Sequence, residues 1–165
     1  MTGAELLTSV FVIRKELFFV ACDSAEEKGR WDRERWGEMR FFFENDLVST
    51  VLRVMASDER FSVSETGFLE DIFEIRYTAE ELMELYQSLN FEEGMEQFIQ
   101  KLRADIEMLK DIGDGLDAFF RELIVLICRI IGALDGISQQ ERELTTQIRK
   151  AFENKEAIPE REAER

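Results

Sequence analysis

The chain has no histidine among its 165 residues. This excludes Ser-His and Cys-His catalysis, His-ligated zinc and the Glu-x-x-His di-iron site of helical bundles. Any metal would have to be a hard cation held by oxygens. Cysteine is nearly absent too, with 2 residues, Cys22 and Cys128. Both stand inside apolar runs and read as small buried hydrophobes. They form neither a disulfide framework nor a CxxC, which points to a reducing, cytoplasmic setting. The one proline, Pro159, lies near the C-terminus, and glycine is limited to 9. A body so poor in both suits long helices and suits an all-β fold poorly. Positive charge is the remaining shortage: 21 Lys and Arg face 36 Asp and Glu, for a net charge of −15. Such a field repels phosphate backbones, so no nucleic acid partner is expected. Cations and basic proteins are favoured, or the charge serves solubility alone.

No long hydrophobic run is clean enough for a membrane. The best candidate, residues 119–134, is interrupted by Arg121, Glu122 and Arg129, whereas a span needs ~20 mostly apolar residues. It reads as a buried core helix, and the chain as not transmembrane. The N-terminus carries Glu5 before its apolar run and base only after it, the wrong order for a signal peptide.

What is present is helical periodicity. Apolar residues make up 45% of the chain, 14 of them Phe, enough for one domain with a real core. Residues 4–22 predict a first helix with an inward stripe of Leu6, Val10, Ile13, Leu17 and Val20, widened by Leu7, Phe11 and Phe18. Residues 24–38 hold Trp31 and Trp36 among Lys28, Arg30, Arg33 and Arg35 and five acids, with Arg40 just beyond. The interleaved acids argue for a salt-bridged surface segment whose Trp rings cover the core edge rather than for base stacking. A helix over 38–57 follows, its stripe Phe43, Leu47, Val48, Val51, Leu52 and Met55. Ser62 with Glu65 forms a capping box that opens a helix to about Ile75, and Thr78 with Glu81 forms another. Asn90 is expected to cap the next helix, which Gly113-Asp114-Gly115 stops. Residues 115–134 are apolar nearly all round, which places that helix in the middle of the domain. Ser138 caps a final helix, and residues 154–165 read as a polar tail. The expectation is therefore an all-α single domain, residues 1–153, of six or seven helices around a buried central helix.

Two helix–acidic turn–helix units, about 38–76 and 115–153, form an internal pseudo-repeat. Asp58 and Glu65 mark the first turn, and Asp135 and Glu141 the second. An EF-hand is excluded: the upstream ligand positions of the first turn fall on Val54 and Ala56, and the second turn is one residue too short. In the frame from Asp111 to Glu122, Gly113, Gly115 and Leu116 hold the positions that need acid, acid and glycine.

The paired turns resemble those of the tellurite-resistance TerB-like family, helical domains with Ala-Asp-Gly-x-hydrophobic-x-x-x-Glu after an apolar helix. The matching residues are Met55-Ala56-Ser57-Asp58, Phe61 and Glu65, then Gly132-Ala133-Leu134-Asp135-Gly136, Ile137 and Glu141. Glu59 replaces the glycine in the first turn, and the second turn is a residue short. The resemblance covers about residues 38–153. It implies a non-enzymatic role in metal or stress response, possible membrane association through a partner complex, and no catalytic residue. Metal ligands would be Asp58, Glu65, Asp135 and Glu141, with Ca2+ or Mg2+ as the ion. The alternative is an interaction module or homodimer that uses its acidic face and holds no metal. The most acidic region is Glu65 to Glu96, with ten acids and one base, Arg76.

Overall fold

Thr2 opens the first helix through local hydrogen bonds alone. Its hydroxyl accepts from Glu5 N at 3.1 Å, and its own N–H donates to Glu5 Oε1 at 2.8 Å, a capping box that satisfies two otherwise orphaned donors. The computed structural model describes residues 2–55, 63–73 (side chains from 66), 78, 80, 81, 83, 84, 94–134 and 137–153. Six helices run through them: α1 Gly3–Glu27, α2 Arg33–Met55, α3 Val63–Phe73, α4 Met95–Ile112, α5 Leu116–Ala133 and α6 Gln139–Phe152. No strand occurs among the described residues. The polar tail at 154–165 lies outside them.

α1 runs five residues past the expected end. The polar pair Asp23-Ser24 does not break it, because the helix carries Ala25 into the core and Trp31 and Trp36 fix its last turn. Trp31 Nε1 donates to Cys22 O at 3.1 Å, and Trp36 Nε1 donates to Asp23. Gly29, at φ +79°, then turns the chain. α2 likewise starts earlier than its apolar stripe does, where Asp32 Oδ1 accepts from Arg35 N at 2.7 Å. The two Trp rings stack at 4.9 Å and are buried. The bases around them pair with Asp114 and Asp23, as in Arg30–Asp114 at 3.3 Å and Arg40–Asp23 at 4.0 Å. Lys28, Arg30 and Arg40 thus make salt bridges, though with Asp114 and Asp23 rather than with the interleaved acids. α4 begins behind Gly94 rather than behind Asn90, which lies outside the described residues, and Gln97 reaches back to accept from Gly94 N at 3.2 Å. Gly113 ends it at φ +95°, and a Cβ there would stand 2.7 Å from Arg30 Nη1. The positive φ favours glycine; the Arg30 guanidinium, at the end of a flexible side chain, could give way to a Cβ.

α5 packs against α1, α2, α4 and α6. Its Leu123, Ile124, Ile127, Ile130 and Ile131 have no solvent exposure. Phe18 is the aromatic junction of the core. Its ring lies 5.3 to 5.8 Å from those of Phe19, Phe43, Phe119 and Phe120. Cys22 and Cys128 are buried free thiols, and burial pushes both up to about 12. They are therefore packing residues and not nucleophiles.

Candidate functional site

The expected ligands of the acidic turns divide as follows. Asp58 and Asp135 lie outside the described residues, as do Phe61, Ser62 and the side chain of Glu65, whose backbone belongs to the first turn of α3. Glu141 is described, and it is a cap. Its Oε1 accepts from Ser138 N at 2.7 Å, while Ser138 Oγ accepts from Glu141 N at 3.1 Å. Such a cap contributes ~1 kcal/mol. Glu141 is only 1% exposed, and its Oε2 has no hydrogen-bond partner among the described residues. No group of three or more metal-ligating side chains occurs among the described residues.

The larger surprise is α1. Of the stripe expected to face inward, only the widening residues do, Phe11 and Phe18 buried and Leu7 partly so; its main line faces solvent, with Leu6 57% exposed, Val10 39%, Ile13 59%, Leu17 47% and Val20 61%. The inward face is Phe11, Phe18, Phe19, Cys22 and Ala25. The helix carries two apolar stripes, and the one with the phenylalanines went inward because each ring removes more surface from water than an aliphatic side chain. The outer stripe steps by four, three, four and three residues. That is the heptad spacing of a seam made to meet another helix.

The charges around this seam are sorted by sign. α1's two bases are half-buried and tied to neighbouring helices, Arg14 to Glu122 at 2.6 Å and Lys15 to Glu44 at 2.7 Å. Its exposed charges are all acidic: Glu5, Glu16, Asp23 and Glu27. Beside the seam a groove of about 780 Å³ runs between α1, α3 and the end of α5. Val12, Ile13 and Phe68 form apolar parts of its wall, and Glu5 and Asp71 are its acids. Periodicity alone could find the seam but not its direction.

Sequence reasoning also missed Asp46 and Asp105. Asp46 interrupts the buried stripe of α2 between Phe43 and Leu47 and is 6% exposed. Asp105 of α4 stands within hydrogen-bonding reach of it. Burial first, and then the hydrogen bond and charge of Asp105, hold the Asp46 carboxyl far above the usual carboxylate range; Lys101 opposes this. The only sign in the sequence was an acid on an apolar face. No helix among the described residues is long and apolar enough to cross a membrane. No family model, curated protein or solved structure matches the chain.

Proposed function

We propose that the chain is a non-enzymatic helical interaction module whose α1 seam docks an amphipathic helix with basic flanks. One observation carries this reading: an apolar heptad stripe of five residues faces solvent on a helix whose exposed charges are all acidic. Soluble chains rarely leave so continuous an apolar strip uncovered without use. The strip spans 15 residues, Leu6 to Val20, about 21 Å at the α-helical rise, which matches a helix-in-groove partner. Charge selects the kind of partner. A second copy would set Glu16 and the net charge of −15 against themselves, and an anionic bilayer would be repelled in the same way. A helix with Lys or Arg flanking its own Leu or Ile seam meets both the strip and the acids.

A synthetic 25-residue helix with Leu at the seam and Lys beside it is the probe, followed by fluorescence anisotropy. It should bind the parent, more weakly as salt rises. Ile13→Ser with Leu17→Ser should weaken binding on the order of 100-fold, since each buried aliphatic contributes ~1.5 kcal/mol or more. Unchanged binding to the double variant would show that acidity alone attracts the peptide, and the docking face would be lost as an idea. A parent that sediments as a dimer, and a variant that does not, would replace the partner helix with a second copy.

A second reading follows from the TerB-like resemblance, with the pseudo-repeat setting both acidic turns about a central α5. Here Asp58, Glu65, Asp135 and Glu141 hold Ca2+ or Mg2+. The buried, unpartnered Oε2 of Glu141 favours it, because capping uses the other oxygen. Under this reading, calcium added at fixed ionic strength raises the melting temperature by mass action, and Asp58→Asn with Asp135→Asn removes the rise. A rise that survives both substitutions assigns the turns to capping only.

A further inference from the structure

α2 and α4 enclose a cavity of about 320 Å³ that the docking seam does not involve. Met39, Phe42, Phe98 and Met108 contribute apolar wall, and Asp46, Asp105 and Lys101 contribute its charges. The size falls at the lower end of small-molecule sites, about 300–1,000 Å³, and a mostly apolar wall with a few convergent polar groups is their usual make-up. Asp46 is more than nine-tenths buried, and its Oδ2 has no hydrogen-bond donor among the described residues. Thr50 does not supply one, since its hydroxyl donates to the Asp46 backbone carbonyl at 2.8 Å.

The charges of the cavity do not balance. Two carboxylates face one ammonium, that of Lys101, which leaves one negative charge when both acids are ionised. Burying a carboxylate without a paired cation is costly; Asp46 is the buried one of the two, while Asp105 is partly exposed and Lys101 exposed, so a cation beside Asp46 is favoured. Other bases near it are already placed. Arg53 lies over the Phe98 ring at 4.6 Å, and Arg35 Nη2 rests on Met108 Sδ at 3.4 Å from the exposed side. Without such a cation, the raised carboxyl of Asp46 keeps its proton. An organic ammonium could be that cation, because its N–H groups offer Asp46 Oδ2 the donor it lacks and reach Asp105 as well. Its carbon chain would lie against Phe42 and the two methionines, which adapt to irregular shapes.

We propose that this cavity binds a small organic ammonium ion, gripped by Asp46 and Asp105, with its carbon chain against Met39, Phe42 and Met108. Binding exchanges one cation for another: the amine enters protonated, and the proton on Asp46 leaves to solvent. Affinity therefore rises with pH until the amine itself loses its charge.

Calorimetry with phenethylamine on the full chain tests this at pH 7, in phosphate and in MOPS, whose ionisation heats differ and neither of which is a primary ammonium. Saturable binding is expected, with about one proton released per amine bound. The neutral isostere 2-phenylethanol should bind at least tenfold more weakly, Asp46→Asn should abolish the proton release, and Asp105→Asn should weaken amine binding. Glu34→Gln, an acid outside the cavity, should bind like the parent. Absence of saturable binding, binding without proton release, or equal binding of the alcohol would each overturn the proposal. The parent measurements decide the matter even if a variant fails to fold.

Discussion

Phe18→Ala will destabilise the fold by ~3–5 kcal/mol, whereas Leu17→Ala, one residue earlier, will change stability by less than ~0.5 kcal/mol. The two positions share a helix, a backbone conformation and nearly the same hydrophobicity. They differ in what surrounds them. The Phe18 ring has no solvent exposure and touches four other aromatic rings. Its removal loses both the transfer free energy of the ring and the contacts of a cavity that rigid neighbours cannot close. Leu17 is about half in water already, so truncation removes little buried area, and Ala is the better helix former. Urea denaturation with a constant m-value would measure both. Comparable losses at the two sites would mean that α1 is turned about its axis, and the docking face would disappear with it.

Asp46→Asn will stabilise the chain at neutral pH and leave it nearly unchanged near pH 4. Burial and Asp105 raise the folded carboxyl of Asp46 above the ordinary value of ~3.9 that it has when unfolded. Between those two values the folded chain holds a proton that the unfolded chain releases. The contribution of this group is thus complete below about pH 4 and declines as pH rises through the folded value. Asparagine has the shape of the protonated acid and does not titrate. The stability difference, variant minus parent, should therefore grow with pH at up to ~1.4 kcal/mol per unit. Lys101 and Asp105 face the same cavity and remain in both proteins, so the difference isolates Asp46. Parallel stability curves from pH 4 to 8 would show that Asp46 carries no extra proton in the folded chain, and would remove the electrostatic basis of the ammonium site as well.

Some of this was legible before any coordinates. The capping boxes of Thr78 with Glu81 and of Ser138 with Glu141 both form as expected, because their partners stand three residues apart and the chain itself brings them together. The helical class and the stop at Gly113-Asp114-Gly115 follow for the same reason: periodicity, low proline and positive φ are local properties. The inner stripe of α2 was also readable, since Phe43, Leu47, Val51, Leu52 and Met55 are all buried and no competing apolar stripe of comparable length runs beside them.

What the sequence determined by itself, then, was the set of helices and most of their ends. The tertiary structure decided which way α1 faces and which acids meet. α1 offers two apolar stripes, and the choice between them depends on how much area α2 and α5 can cover on each, a sum over partners far away in the chain. Asp46 and Asp105 are 59 positions apart (105 − 46), on helices whose register no local pattern sets. Hydrogen bonds between near neighbours form in almost any fold that keeps the helix. A buried carboxyl pair and an exposed seam exist only once separate helices have packed, since burial is a property of the assembly and not of the residue.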